Sequence, residues 1–319
     1  MTIAVLGGTG FIGTAIIEHL TAQGHRPVAI ARGRHPRQLP AEALFEPADR
    51  MNTEGLLAIF ERHKIETVID IFALGLLNTT PVLRAMQTHG GRYVPLSSVD
   101  VYSNYGGLLR REQPPIQMAP ARETDPLRSF RYPYKGNPRR PQGVEAELFE
   151  DYDKILVEDQ ALANTAFSTT VIRAPMIFGT GDKQNRFAWA IDAIQSEQPI
   201  QVDERAAGWL NSYGYVHDVA HAIVLAALAP QASGRIFNVG QPFVRTPVEW
   251  LQRFAEAMGR PIRIDIVPPS AKGLLWERAE ASDLRYPLTL DTTRIRTELG
   301  FTEVIPEADA LRATIAAGG

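Results

Sequence analysis

Three of the four glycines near the start of the chain, Gly8, Gly10 and Gly13, have the G-x-G-x-x-G spacing of a loop that binds a diphosphate. The loop consists of Gly7, Gly8, Thr9, Gly10, Phe11, Ile12 and Gly13. Glycine permits the positive φ of the turn, the approach of a pyrophosphate and the close packing of helix on sheet. The N–H groups that open the following helix then face the phosphates. The motif therefore predicts a dinucleotide site, with a ligand-free tight turn as the alternative.

Basic residues follow the second predicted strand, where the adenosine ribose of a dinucleotide would lie. Residues 31–37 read Ala-Arg-Gly-Arg-His-Pro-Arg and contain no acid. An acid at this place binds the ribose 2′-hydroxyl of NAD, whereas cations suit a 2′-phosphate. We therefore predict NADP(H) rather than NAD(H), with Arg32 and Arg34 on the phosphate, and a solvated basic loop as the alternative. Asp49 and Arg50 are weaker candidates for contact with the adenine edge.

Strands and helices alternate through the first half of the sequence. Short β-branched runs predict buried strands at Ile3–Leu6, Pro27–Ala31, Thr67–Phe72 and Arg92–Leu96. Helices are predicted at Ile12–Ala22, Glu54–His63 and Pro81–Thr88, and a long helix at about Val144–Ala163 precedes a strand at Val171–Arg173. This order predicts an α/β fold with a Rossmann-type, doubly wound parallel sheet.

Two regions depart from this alternation. Gly106–Gly143 is rich in proline and arginine and too long for an ordinary connection. It is either a functional loop, for example a clamp on a diphosphate, or a solvated and partly disordered one. The last third has irregularly spaced elements. We predict a cofactor domain over residues 1–174, with loop 106–143 inserted, and a mainly substrate-binding lobe over 175–319 with segments that return to the core.

The composition excludes several kinds of chemistry. The chain has 319 residues, of which 45% are hydrophobic and 22% charged, with a formal net charge of −3. Near neutrality is a poor match for duplex DNA. The absence of cysteine excludes disulfides, thiolate nucleophiles and Cys-held metal, and the seven histidines form no metal motif. No targeting segment or membrane-length apolar run is evident, so we expect a cytoplasmic protein without metal or membrane contact.

The chain resembles the extended short-chain dehydrogenases/reductases, the superfamily that includes NAD-dependent sugar-nucleotide epimerases and dehydratases. Beyond the glycine loop, the resemblance rests on Ser97–Tyr102, Lys154–Glu158, Ile172–Gly179, Tyr215–Ala220 and Phe237–Gly240. It implies a Rossmann domain that binds a nicotinamide cofactor, with Leu96 and Pro175 beside it. It also implies a C-terminal lobe that closes over a small-molecule substrate, and it makes a homodimer plausible.

Catalysis in these enzymes uses a Ser or Thr, a Tyr, and a Lys four residues after that Tyr. By this resemblance Ser98 would hydrogen-bond the substrate oxygen, and Lys154 would hold the nicotinamide ribose and lower the tyrosine pKa. A serine at a strand end and a solvated helical lysine are the alternatives. The family's tyrosine is missing, because Glu150 stands four residues before Lys154. Tyr152 would face nearly the opposite way on a continuous helix.

Four explanations for the proton donor stay open. Glu150 could be the acid or base if burial raises its pKa, although its spacing to Lys154 equally suits an ion pair on a helix. Tyr102 or Tyr105 could reach the substrate instead. Asp100 faces the same side as Ser98 in an extended chain and resembles an acid of the dehydratases. Water or a substrate group could also supply the proton, and we slightly prefer Glu150 or water.

These observations lead to three functional hypotheses. The first is an NADP(H)-dependent oxidoreductase that transfers hydride to or from a carbonyl or alcohol carbon. The second is a sugar-nucleotide epimerase or dehydratase whose cofactor is recycled within one turnover. The third is a non-catalytic protein that senses a nicotinamide cofactor or binds RNA. Aromatic side chains in the C-terminal lobe could line a substrate pocket or form core, namely Phe178, Phe187, Trp189, Trp209 and Tyr213.

Overall fold

The computed structural model describes residues 1–33, 39–137 and 144–318. Its strands are β1 Ile3–Leu6, β2 Val28–Ala31, β3 Leu44–Pro47, β4 Thr67–Asp70, β5 Arg92–Ser98, β6 Ser168–Thr169, β7 Val171–Ala174, β8 Met176–Phe178, β9 Ile200–Asp203, β10 Tyr213–Tyr215, β11 Ile236–Asn238 and β12 Ile264–Val267. The main sheet has the order β11-β7-β5-β4-β1-β2-β3, with β6 beside β5, and its strand pairs are parallel.

Helices cover both faces of this sheet and build the C-terminal lobe. The α-helices are α1 Phe11–Ala22, α2 Thr53–His63, α3 Leu76–His89, α4 Ser103–Leu108, α5 Ala146–Glu150, α6 Lys154–Leu162, α7 Ala188–Gln195, α8 Glu204–Ala207, α9 Val216–Leu228, α10 Pro247–Met258, α11 Trp276–Ala281, α12 Thr293–Leu299 and α13 Glu307–Ala316. Short 3₁₀ helices occupy Val99–Val101, Pro230–Ala232 and Pro269–Ala271.

Strand β1 shows why the sheet is doubly wound. Its four residues are all buried, and successive side chains point to opposite faces. Ile3 and Val5 pack into the cluster that contains α1 and α9, whereas Ala4 and Leu6 pack into the cluster that contains α2 and α3. A strand that is apolar on both faces needs helices on both sides. The predicted Rossmann-type α/β fold is confirmed.

The C-terminal lobe is built on two small parallel strand pairs, β8 with β10 and β9 with β12. Phe187 lies in its core, 4.8 Å from the ring centre of Trp250 and 4.7 Å from that of Phe254. Two later elements return to the main sheet, because β11 pairs with β7 and α9 packs on α1. Segments after residue 174 therefore complete the sheet domain.

Strand β3 and helix α3 show where the sequence left the bounds of elements open or wrong. Strand β3 lies at the sheet edge with Leu44 and Phe45 exposed, so no buried apolar run marks its bounds in the sequence. Helix α3 begins at Leu76 instead of Pro81. The Asn78 side chain accepts hydrogen bonds from the Gly75 and Leu74 amides and so caps an earlier start.

The described part of the arginine-rich loop, residues 106–137, packs against the rest of the protein. Arg128 is 1% exposed and forms a buried ion pair with Asp153 at 2.8 Å. Arg110 donates to the carbonyls of Glu280 and Ser282. These two arginines therefore anchor the loop, and a diphosphate clamp formed by them is not supported. No helix of the described residues is long and apolar enough to cross a membrane.

Candidate active site

The glycine loop links β1 to α1, and its glycines serve different purposes. Gly7 has a φ of +86°, which favours glycine. A Cβ on Gly13 would lie 2.2 Å from the Gly7 oxygen, and one on Gly8 would lie 2.8 Å from the Ala29 Cβ, so both allow close packing. A Cβ on Gly10 would meet only the Gly7 oxygen, at 3.2 Å. Gly10 therefore keeps space open before the helix N-terminus, which fits a pyrophosphate.

The structure describes three of the four residues proposed for the adenosine end of the cofactor. Arg32 follows β2, is half-exposed and forms an ion pair with Glu145. Asp49 is exposed and accepts from the Met51 amide. Arg34 lies outside the described residues. Arg50 needs a correction, because both its terminal nitrogens bind the buried Asp70 at 2.9 and 2.7 Å, which removes its guanidinium from contact with an adenine.

A break between two helices positions Tyr152. The prediction of one helix over Val144–Ala163 is wrong, since α5 ends at Glu150 and α6 begins at Lys154. Asp153 caps α6 by accepting from the Ile155 amide, and its own amide donates to the Leu74 carbonyl. The chain between the helices is therefore fixed at a position where a continuous helix would have turned Tyr152 away.

Gly75, directly before α3, allows the chain there to pack closely against the segment between α5 and α6. Its backbone bridges to Tyr152, and a Cβ on it would lie 2.1 Å from the Asp151 carbonyl oxygen. The Asp151 carboxylate also accepts from the Leu77 amide at 2.6 Å, which ties the break to the start of α3. The position of Tyr152 thus depends on a turn that lies far away in sequence.

Tyr152, Ser98 and Asp100 form a hydrogen-bonded group at the C-terminal end of β5. The Tyr152 hydroxyl donates to Asp100 Oδ2 at 2.7 Å and is also in hydrogen-bonding contact with the Ser98 side chain. Burial and the nearby Asp100 raise the pKa of Tyr152 well above its usual value. Burial also raises the pKa of Asp100, which is 4% exposed and has no partner on its Oδ1 among the described residues.

Lys154 lies beside this group at the carboxyl ends of β4 and β5. Its Nζ donates to the carbonyls of Ala73 and Leu96, each at 2.7 Å, and lies 5.7 Å from the centre of the Tyr152 ring. An ammonium group has three donors, so one stays available to a ligand. Burial lowers the pKa of Lys154 to about 8. Leu96 therefore enters the site through its carbonyl, by orienting the lysine.

Tyr134 of the loop and Tyr105 of α4 lie around the Asp100 carboxyl. Tyr134 stacks on Phe149 at 5.0 Å and packs edge-on against Tyr152 at 4.8 Å. Its hydroxyl lies 3.4 Å from Asp100 Oδ2 and 2.6 Å from the hydroxyl of Tyr105. The loop thus contributes aromatic rings to the site, which its arginine content did not suggest.

Two predicted proton donors need correction. Glu150 is exposed, and its carboxylate accepts from the Gly136 amide at 3.0 and 3.1 Å, so the structure does not bring it to Ser98 and Tyr152. Tyr102 is buried and donates to Asn238 Oδ1 at 2.6 Å, while Arg173 donates to its oxygen. Burial raises the pKa of Tyr102 to about 12. Both residues are held in structural contacts.

Pro175 follows β7 and packs against two glycines of neighbouring segments. A Cβ on Gly214 would lie 3.3 Å from its Cγ, and one on Gly240 would lie 3.4 Å away. These contacts show Pro175 joining the sheet to the C-terminal lobe. Its predicted contact with a cofactor stays a prediction.

A small cavity of the C-terminal lobe contains polar atoms without partners. Asn211 is 2% exposed, and neither its Oδ1 nor its Nδ2 has a partner in the described structure, nor has the indole N–H of Trp250. The cavity is lined by Trp189, Trp209, Asn211, Tyr213, Arg245, Pro247, Trp250, Leu275 and Arg278. It shares Trp189, Leu275 and Arg278 with an open groove of about 820 Å³. Three of the predicted aromatic residues therefore line a cavity, whereas Phe178 and Phe187 are core.

Comparison with known proteins agrees with this geometry. Residues 3–135 match the model of the NAD dependent epimerase/dehydratase family. The first part of the chain is therefore similar to this family. The chain is 26% identical to a dTDP-6-deoxy-L-talose 4-dehydrogenase (NAD(P)(+)) of Kitasatospora kifunensis, over 94% of this chain and 90% of that protein. It is 23% identical to the chloroplast stem-loop binding protein of 41 kDa b of Arabidopsis thaliana, over 76% of this chain and 59% of that protein.

A solved structure shares the fold over the whole chain. A UDP-glucose-4-epimerase from Stenotrophomonas maltophila, solved with bound NAD, superposes with a TM-score of 0.73 at 20% identity and covers 100% of this chain and 98% of that one. Family resemblance in the sequence singled out Ser98 and Lys154 but not Tyr152, which the structure brings next to both. The signal that could have located it is Asp153, a preferred N-cap residue directly before the α6 segment.

In the described ranges, no group of three or more His, Asp or Glu side chains is placed to hold a metal ion. The polar groups at the site are instead a hydroxyl, a phenol, a carboxyl and an amine. Such groups bind a carbonyl oxygen and move protons, and they do not themselves carry hydride. A redox step at this site therefore needs a cofactor in addition to these side chains.

Proposed function

We propose that the protein is an NADP(H)-dependent oxidoreductase that interconverts a carbonyl and an alcohol in a small molecule. The observation that carries the proposal is the convergence of Ser98, Tyr152 and Lys154 at the carboxyl end of the parallel sheet, where such sheets bind ligands. The three side chains come from β5, the break before α6 and the first residue of α6.

The residues around the glycine loop fit a nicotinamide dinucleotide. The loop would hold the pyrophosphate, Arg32 would bind a 2′-phosphate, and the free donor of Lys154 would bind a ribose hydroxyl. When bound, the cofactor supplies or accepts the hydride at the reacting carbon. The space in front of Gly10 supports this assignment, as does the lack of an acid in residues 31–37.

Tyr152 is the proton donor. It replaces the tyrosine that related enzymes have four residues before the lysine. During reduction the substrate oxygen gains negative charge, accepts the hydrogen bond of Ser98 and takes the proton of Tyr152. The positive charge of Lys154 stabilises the phenolate that forms. In oxidation the same groups act in reverse, with the phenolate as base.

The aromatic cavity around Asn211 has a volume of about 10 Å³ and holds no more than a water molecule, which suits its amide and indole N–H without protein partners. The open groove of about 820 Å³ beside it is the candidate for the distal part of the substrate. Arg278 borders both the cavity and the groove and lies 5.2 Å from the ring centre of Trp209.

An epimerase or dehydratase with a recycled cofactor is the second candidate, because the chain shares its fold with such enzymes. Net redox chemistry is favoured by the relative that covers most of both chains, which is named a dehydrogenase. The non-catalytic alternative was based on the missing tyrosine, and the position of Tyr152 removes that basis.

The test uses purified protein and its nucleotide content. We expect NADPH to exchange freely and to be oxidised when carbonyl compounds, including 4-keto sugar nucleotides, are added. Tightly retained oxidised cofactor with conversion of a sugar nucleotide but no net redox change would favour the second candidate. Binding of neither NADPH nor NADH would refute both.

A further inference from the structure

The Asp100 carboxyl is buried at the site, yet the assigned roles of Ser98, Tyr152 and Lys154 do not use it. It sits in the 3₁₀ helix directly after β5, where the Ser98 hydroxyl accepts from its amide at 3.2 Å. Its Oδ2 receives the Tyr152 hydroxyl, and its Oδ1 has no partner among the described residues. A permanently charged carboxylate would be costly with one oxygen unpaired in a buried place.

The groups that face Asp100 come from several elements. Tyr152 and Lys154 approach from the start of α6, Tyr105 from α4 and Tyr134 from the loop. Arg128 donates its Nε–H to the Asp100 backbone carbonyl, while its terminal nitrogens are held by Asp153 and Phe130. The carboxyl thus has hydroxyl groups of tyrosines and of Ser98 as its hydrogen-bonding contacts, and the cations stay at longer range.

We propose that Asp100 is the proton reservoir of this site and returns to Tyr152 the proton that Tyr152 gives to the substrate oxygen. The inference rests on the proposed function, because it needs Tyr152 as the proton donor. The short contact between the Tyr152 oxygen and Asp100 Oδ2 can carry a proton in either direction, since each oxygen can be donor or acceptor.

The proton balance of a reduction is as follows. The carbonyl carbon receives a hydride from a reduced nicotinamide, and its oxygen takes the proton of Tyr152, whose O–H bond breaks. The phenolate then takes the proton from Asp100 Oδ2, which leaves a carboxylate. That carboxylate regains a proton from water, and the hydroxyls of Tyr134 and Tyr105, which are 2.6 Å apart, lie next to it. In oxidation each transfer runs backwards and one proton leaves to solvent.

A cofactor-free experiment tests the coupling of the two residues. Phenolate formation is followed by ultraviolet difference absorbance from pH 8 to 12 in the wild type, Asp100→Asn and Asp100→Asn/Tyr152→Phe. We expect Asp100→Asn to ionise one more tyrosine in this range than the wild type, because the neighbouring negative charge is lost, and the double variant to lack that tyrosine. Identical titrations of the wild type and Asp100→Asn would overturn the proposal.

A second measurement tests the transfer itself with the carbonyl compound that the wild type reduces. In Asp100→Asn we expect kcat to fall about 100-fold with little change in KM, as for a lost proton-transfer group. In Asp100→Ala, added formate should restore part of kcat in proportion to its protonated fraction, which a structural role for Asp100 would not produce. No rescue by formate would overturn the relay.

The failure of the relay and the failure of the proposed function can be told apart by Tyr152→Phe. If this variant is inactive and Asp100→Asn keeps wild-type kcat, the proposed function stands and the relay is refuted. If Tyr152→Phe keeps wild-type kcat, the role of Tyr152 itself is refuted. Circular dichroism of each variant confirms that it is folded.

Discussion

The ammonium group of Lys154 lies 5.7 Å from the centre of the Tyr152 ring, although one residue separates them in the chain. Two side chains at i and i+2 on a helix point to nearly opposite sides. They meet here because Tyr152 precedes the helix that Lys154 begins. The break between α5 and α6 thus brings a tyrosine next to a lysine, although the two are not four residues apart as in the enzymes that the sequence resembles.

Replacement of Tyr152 by Phe is the direct test of this pair. We expect kcat to fall by at least about 100-fold, because the proton donor is removed, while NADPH affinity stays near that of the wild type. Glu150→Gln is the matched control, since it lies two residues away and is exposed. Loss of activity in Glu150→Gln with normal activity in Tyr152→Phe would reverse the assignment.

The positions of the glycine loop and Ser98 could be predicted from the sequence, whereas that of Tyr152 could not. Gly7–Gly13 and Ser98 lie next to predicted strands, so local pattern and position coincide. Tyr152 could not be located in this way, because its position is set by the Gly75 turn and the Arg128–Asp153 pair, which are remote in sequence. Hydrophobic periodicity does not report such long-range polar contacts.

Replacement of Gly75 by Ala tests whether the turn at Gly75 fixes the position of the segment between α5 and α6. The new Cβ would lie 2.1 Å from the Asp151 carbonyl oxygen, so the segment before Tyr152 must move. We expect a loss of unfolding free energy of about 1–3 kcal/mol and a fall in kcat, because small shifts of a reacting group are costly. Urea unfolding and steady-state kinetics measure the two effects.

Gly208→Ala is the control for this substitution. Gly208 has a φ of −101°, and a Cβ on it would meet no atom within 4 Å. Its stability and kcat should therefore stay close to those of the wild type. Equal effects of the two substitutions would show that Gly75 has no special connection with Tyr152.

The choice of cofactor can be tested at Arg32 and Glu145. The pair is half-exposed and therefore contributes little to stability, but a 2′-phosphate must compete with Glu145 for the guanidinium. We expect NADPH to bind more tightly than NADH, and Glu145→Gln to tighten NADPH by severalfold, within about 1 kcal/mol, without changing NADH. Arg32→Ala combined with Arg34→Ala should reduce the preference for NADPH over NADH. Isothermal titration with both cofactors decides, and equal affinities in the wild type would contradict NADP(H).

The buried pair of Arg128 and Asp153 should govern both the loop and α6. Both side chains are fully buried and lie 2.8 Å apart. Arg128→Met leaves Asp153 as an unpaired buried charge, which costs about 3–5 kcal/mol. We expect this loss in urea unfolding, together with faster proteolysis of the loop. Arg122→Met, at a position with an exposed guanidinium, is the control and should change stability little.

Lys154 should give stability a distinct pH dependence. Its folded pKa of about 8 lies below the ordinary lysine value of 10.5, so between these values the unfolded chain binds more protons than the folded one. Stability must therefore rise with pH above 8, by up to about 1.4 kcal/mol per pH unit, relative to a variant without this titration. Below pH 8 the cost of burying the ammonium is fully present, and its dependence on pH vanishes.

The measurement compares the wild type with Lys154→Met by urea unfolding at pH 7, 8, 9 and 9.5. The two stability curves should run parallel below pH 8 and separate above it, with the wild type gaining. The comparison cancels the titration of the buried tyrosines, which both proteins share. Asp100 and Asp70 raise the pKa of Lys154 and Arg50 lowers it, so Asp100→Asn should move the separation to lower pH. Parallel curves throughout would show that the lysine is not held in a desolvated site.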